Sequence, residues 1–249
     1  MKKVIIICSS IYLTLIAIII IARFTNVYGL LTAIIVFIVM VSAIAIYDFF
    51  ILRTIQHIAD EIQNTNDLDS TISRLNSLLS KKLTKDQIIK TQFLLVIAYT
   101  YKRGELEKAK NLLEQIDFPQ KKQKYTIMKL DCQLAFNIID EDEDSYFKNL
   151  ALEKEYADES TIESNRQIMT YYFQLLKDFY EPSLAQKVQI IIDLELKEEP
   201  NMITKQFYQY LDLLAQKAQG LPLNGIQKLM NQAQGTYLID KLNELKEND

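Results

Sequence analysis

Two apolar stretches, residues 4–22 and 30–52, lie back to back at the N-terminus of this 249-residue chain, with seven residues between them. Each is about 20 residues long and nearly free of charge, enough helix to cross a bilayer core of about 30 Å at about 1.5 Å per residue. The pattern predicts a two-helix transmembrane hairpin over residues 1–53, followed by a water-facing remainder. Residues 1–53 hold only Lys2, Lys3, Arg23 and Arg53 against Asp48, whereas residues 54–249 hold 24 Lys and Arg against 31 Asp and Glu, a net charge of -7. An acidic remainder argues against nucleic acid as a partner, because such binding draws its affinity from cations on phosphates. It is also repelled by anionic headgroups, so the apolar hairpin itself is expected to hold the bilayer.

Lys2 and Lys3 precede the first stretch and Arg53 follows the second, while Arg23 alone sits in the short loop. This bias favours both termini in the cytoplasm. Tyr28 and Phe24 at one end, with Tyr47, Phe49 and Phe50 at the other, match interfacial aromatic belts. Residues 1–22 also fit a secretory signal peptide. The long apolar run and the lack of a small-x-small site before Arg23 favour an uncleaved span, and residues 30–52 anchor the chain in either case. Neither stretch carries a charge deep inside, which argues for an anchor over an ion or proton pathway. A composition rich in Ile, Lys, Asn and Gln, without Trp, points to a bacterial cell membrane.

From Arg53 onward, apolar residues recur every three or four positions, the period of amphipathic helices. Ile55, Ile58, Ala59 and Ile62 extend the second span as a stem, and 64–67 break it. Residues 54–83 therefore read as stem helix and connector. Thr84 with Gln87 forms a capping-box signature for a helix over 85–102. Further helices are expected at 71–79, 106–116, 124–138, 146–156, 161–179, 183–194, 202–218, 224–234 and 237–245. Pro119, Pro182, Pro200 and Pro222 fall at their ends rather than inside. The fold expected is all-α.

The segment 93–116 places Phe93 and Val96 on one helix, Gly104 in a turn, and Leu106, Ala109 and Leu113 on the next. The small residue lets two helices approach, and the glycine permits the tight turn. This segment resembles a tetratricopeptide repeat. Ala109, Ala151 and Ala185 recur at intervals of 42 and 34 residues, with eight extra residues assigned to the acidic run 140–144. Ile127, Leu130 and Leu134 then take core positions in a second unit, and Met169, Tyr172 and Leu176 in a third. Departures are Thr100 in place of an aromatic, Asp131 at a small position, Glu155 and Asp158 at core positions, Tyr180 in place of Gly, and Gln189.

The resemblance implies an α-solenoid-like, TPR-like array over 84–199 with C-terminal helices at 200–249, the alternative being an irregular helical bundle. It implies a partner groove at Leu94, Ala98, Tyr101 and Lys102, at Tyr125, Met128, Cys132, Ala135 and Phe136, and at Gln167, Thr170, Gln174 and Lys177. In a bundle the same residues are ordinary core.

His57 is the sole histidine, and Cys8 and Cys132 are isolated. Counted from Asp140 as the start of a calcium loop, the acidic run puts Ser145 and Ala151 where Gly and Glu belong, so it reads as a solvated segment. No phosphate-cradling or nucleophile motif appears. No catalytic, cofactor or metal site is expected. The role expected is a membrane-anchored cytoplasmic scaffold recruiting an unidentified, membrane-associated protein. The alternative is an accessory or immunity-type membrane protein acting through its hairpin.

Overall fold

The computed structural model describes residue 16 and residues 28–65, 67–119, 122–156, 159–177, 182–197 and 200–247. The first apolar stretch lies outside the described residues apart from Ile16, as do Cys8, Asp158 and Tyr180. The described residues form eleven α-helices and no β-strand. The chain divides into two compact units, Met1–Thr54 and Ile55–Asp249.

The first helix, α1, runs Tyr28–Ile62 without a break. Within the first unit its apolar side chains face outward: Val36, Phe37, Met40 and Ile44 are each more than half exposed. An apolar surface of this kind is costly in water and suits hydrocarbon. Among the described residues it is the one helix long and apolar enough to span a membrane, with a mean hydropathy of 2.7.

The second unit begins with the last two turns of α1. Ile55, Ile58 and Ile62 are buried there at helical spacing, as their periodicity predicts. Nine of the ten remaining helices follow in near-continuous succession: α2 Leu68–Leu79, α3 Lys85–Tyr101, α4 Leu106–Gln115, α5 Gln123–Asp140, α6 Glu143–Glu153, α7 Glu159–Leu176, α8 Pro182–Lys197, α9 Met202–Ala218 and α10 Ile226–Gln232. The last, α11, spans Leu238–Glu247. Neighbours pair closely, α2 with α3, α3 with α4, α5 with α6, and α8 with α9.

Local chemistry explains where helices start. At α3 the Thr84 hydroxyl accepts from the Gln87 N–H at 3.3 Å and Gln87 Oε1 accepts from the Thr84 N–H at 2.9 Å, the predicted capping box. Asp67, Asp142 and Asn201 cap α2, α6 and α9 in the same way. Each such cap is worth about 1 kcal/mol. Helix α3 is buried on nearly every side, so its polar residues need internal partners. Thr91 donates to the Gln87 carbonyl at 2.7 Å and Thr100 to the Val96 carbonyl at 2.8 Å. That bond explains how Thr100 stands in the core where an aromatic residue was expected.

Gly104 turns the chain from α3 to α4 at φ +72°. Ala109, fully buried, then sets the approach of α4 to α3. The register proposed for the second small position does not hold. Ala151 is exposed, and Leu150 beside it is fully buried. The acidic run is not an inserted loop either. Asp140 ends α5, Glu141 takes a left-handed conformation at φ 60°, Asp142 caps α6 and Glu143 opens it. Capping by carboxylates at a helix N-terminus absorbs this charge in a two-residue turn. Glu155 lies beyond α6 and is exposed.

The helices beyond α8 fold back on the earlier ones. The Ile203 N–H donates to the Gln63 carbonyl at 3.3 Å, and Met202 N–H to Asn64 Oδ1 at 3.4 Å, so the start of α9 meets the end of α1. Before α11, Lys102 and Thr236 form an antiparallel bridge. The Arg103 N–H donates to Gly235 O and the Tyr237 N–H to Tyr101 O, both at 3.0 Å. Arg103 also grips the Asp240 carboxylate with two nitrogens, at 2.6 and 3.1 Å.

Two substitutions test this packing. Gly104→Ala meets no neighbour but forces alanine into a left-handed conformation, so it should lower stability by about 1–2 kcal/mol. Ala109→Leu overfills the α3–α4 contact and should cost about 1–3 kcal/mol. Guanidinium unfolding of the detergent-solubilised chain reads both; an unchanged midpoint for Ala109→Leu would refute the close approach.

Candidate functional site

The first helices of successive pairs do not stack evenly. Helix α3 packs on α5, but no Cα of α5 comes within 8 Å of one in α7 among the described residues. The link between them is made by side chains, including the Tyr172 hydroxyl donating to the Ile138 carbonyl at 3.3 Å. A cavity of about 290 Å³ fills the gap, lined by α5, α6, α7 and the start of α9. A second hollow of about 300 Å³ adjoins it, and the two share Tyr101, Asp131, Ala135, Ile203 and Thr204 as a common wall. Asp131 and Asn165 are exposed, so the first cavity opens to solvent.

Its lining mixes apolar side chains, among them Leu134, Ile138, Met169 and Phe207, with polar ones, among them Tyr101, Asp131, Glu153, Thr204, Tyr208 and Tyr237. No Lys, Arg or His is among the described lining residues. Tyr101 and Tyr237 stack loosely, ring centroids 6.2 Å apart. The hydroxyl of Tyr101 has no hydrogen-bond partner among the described residues, and Oε2 of Glu153 is sealed from solvent with none. Tyr208 is different, its hydroxyl donating to Glu195 at 3.2 Å.

The electrostatics of the hollow follow from burial. Asp131 and Glu153 hydrogen-bond each other across α5 and α6. Surrounding protein pushes Asp131 above the usual carboxylate range, with the Glu153 contact pulling the other way. Glu153 is raised by burial first, then by the charge of Asp131 and their hydrogen bond. Both carboxyls are therefore held above the usual carboxylate range, Glu153 with the help of Asp131. Asp131 is at once solvent-accessible and hard to ionise because the surface it exposes lines a hollow rather than open water. Burial, with the nearby charge of Asp131, also pushes the Cys132 thiol and the Tyr101 hydroxyl up to about 12 each, so both are neutral near pH 7.

Of the residues expected to line a groove, Tyr101, Cys132 and Ala135 do so. Leu94 and Ala98 are buried in α3. Tyr125 is fully buried, 6.3 Å from the Phe93 ring, and its hydroxyl donates to Asp86. Phe136 is buried beside a different surface depression, with Lys110, Asn137 and Lys148. Met128 is half-buried and away from the hollow. Lys102 is engaged by Asp69 at 2.6 Å and Glu105 at 3.6 Å. Gln167 is exposed and donates to the Tyr171 hydroxyl, Thr170 donates to the Arg166 carbonyl, Gln174 is half-buried, and Lys177 is exposed and pairs with Glu143.

Sequence reasoning missed Glu153, Thr204, Phe207 and Tyr237. Asp131 stood out as a carboxylate at a small-residue position, and that was the one available signal. His57 is exposed on α1, with Nδ1 at 3.6 Å from Glu61. The described residues hold no group of three or more His, Cys, Asp or Glu placed to bind a metal ion. Comparison with known proteins finds no matching family model, no similar curated protein and no similar solved structure.

The raised carboxyls have a measurable consequence. Both carboxyls titrate higher in the folded chain than in the unfolded one, so their contribution to stability is complete below the ordinary carboxylate range and is lost as pH rises through the folded values. Glu153→Gln keeps a donor for Asp131 and removes one of the two raised carboxyls. Its unfolding midpoint should exceed the native one at pH 8 and match it near pH 4. An equal difference at both pH values would show that Glu153 does not titrate high in the folded chain.

Proposed function

We propose that the chain is a membrane-anchored adaptor that binds a segment of another protein at the membrane surface. In this reading residues 4–22 and 30–52 form a two-span hairpin, both termini are cytoplasmic, and residues 84–199 form a degenerate TPR-like array. The observation that carries the reading is the open hollow between α5 and α7, the first helices of two successive pairs, since such an array meets its ligand along its first helices. Tyr101 and Ala135, two positions of the repeat register, line it, and Cys132 lines the adjoining hollow. The Phe93, Gly104, Ala109 and Leu113 pattern supports the array through α3 and α4, where it matches burial. Anchoring confines the domain to two dimensions and raises its effective concentration near membrane partners.

The outward apolar face of α1 at Val36, Phe37, Met40 and Ile44 favours one further reading, in which the spans pack against another membrane protein. Filling the hollow separates the two. Thr204→Trp places a large ring in the cavity wall without touching residues 1–54. On the adaptor reading, chemical crosslinking from intact membranes loses its partner band by roughly tenfold, about the effect of losing one well-packed interface residue. Membrane insertion stays normal, and replacing residues 30–52 by an unrelated span leaves the band intact. The opposite pattern, loss only on exchanging the span, would sink it.

A further inference from the structure

The hollow has a chemistry more specific than a generic groove. Its charged groups are two carboxyls, and no described cation lines it. Anionic ligands are excluded by like charge. For a metal ion, the described residues hold no group of three or more His, Cys, Asp or Glu placed to bind one. An alkylammonium fits each part. It has three donors, and the Asp131 and Glu153 carboxyls line the cavity as acceptors. The hydroxyl of Tyr101, a half-buried residue of the lining without a partner among the described residues, is a further acceptor. Tyr101 and Tyr237 present aromatic rings of the kind that attract cations. The apolar wall of Leu134, Ile138 and Met169 suits a chain of methylenes behind the charged head. At about 290 Å³ the cavity is at the small end of ligand pockets, the size of a side chain rather than of a cofactor.

We propose that this hollow seats the side chain of a lysine on the partner segment, with the Asp131 and Glu153 carboxylates as counter-ions and Tyr101 and Tyr237 as the aromatic wall. The proposal rests on the adaptor reading and names its partner chemistry, a basic peptide meeting a domain of net charge -7. The other titratable groups facing the pair are Tyr101, Cys132, Tyr146, Tyr208 and Tyr237, each held neutral near pH 7 by burial. An entering ammonium favours the ionised form of both carboxyls, so the ligand meets negative charge.

The test uses the full chain in nanodiscs of zwitterionic phosphatidylcholine, with tyrosine rings labelled for NMR. The probes, at physiological salt, are a glycine-flanked lysine peptide, the same peptide acetylated on Nε, n-butylammonium and calcium. The lysine peptide should shift the Tyr101 and Tyr237 resonances saturably, and n-butylammonium should do so more weakly. The double variant Asp131→Asn, Glu153→Gln should weaken peptide binding roughly 10- to 100-fold, as loss of charge-assisted hydrogen bonds requires. Equal binding of the acetylated peptide, undiminished binding by the double variant, the same shifts with calcium, or no saturable shift would each overturn the proposal. Binding of n-butylammonium with exclusion of the peptide would overturn it too, leaving a site for a free amine. Loss of the crosslinked partner in Thr204→Trp without any lysine response keeps the adaptor reading and removes this one. A lysine response with no effect of Thr204→Trp on crosslinking removes the adaptor reading instead.

Discussion

Backbone hydrogen bonds between residues 101–103 and 235–237 close the helical unit on itself, and most of its distinctive features depend on them. In a repeat array each unit touches only its neighbours, and the ends are open. Here the end of α3 offers Tyr101 O and the Arg103 N–H, and a segment more than 130 residues later supplies the complementary Tyr237 N–H and Gly235 O. Lone peptide groups at a helix end otherwise fall to water or a cap. Pairing them with another segment fixes the position of that segment, and Arg103 on Asp240 adds a charged latch outside it. The second closure, Ile203 and Met202 on Gln63 and Asn64, places the start of α9 across the same face.

The hollow is what these closures leave behind. Helices α5 and α7 stay apart, while α9 contributes Ile203, Thr204 and Phe207 and the closing segment contributes Tyr237. A gap lined only by apolar side chains would be free to collapse. The Asp131–Glu153 pair gives this one a polar wall instead, at the cost of desolvating two carboxyls. Groups of this kind weaken a fold unless something compensates, and they concentrate where a protein binds or reacts. That correspondence between an energetically unfavourable arrangement and an open cavity is the physical ground for the lysine proposal.

Much of the helical layout was legible in the chain. The bounds of α9 were read from residues 202–218, because Pro200 interrupts the pattern before them. Thr84 and Gln87 marked the start of α3, and Gly104 its turn. The candidate site was legible only in part. Tyr101 and Cys132 were reached from the repeat register, but Phe136 from the same register faces elsewhere, and Ala151 is exposed where Ala109 is buried. Burial of one helical face is encoded locally. Which other helix meets that face is not, and a register read from a single good unit drifts once turn lengths change. The two-residue turn at Glu141 and Asp142, read in sequence as an insertion, is where this drift began.

By itself the sequence determined an all-helical unit, the capping box at Thr84 and Gln87, and an apolar N-terminal helix able to span a membrane. These follow from propensity, periodicity and charge, which act over a few residues. Only the tertiary structure decided that Asp131 meets Glu153, that Tyr101 meets Tyr237, and that a cavity stands between α5 and α7. Those contacts join residues 22 to 136 positions apart and are set by packing and backbone closure rather than by local preference.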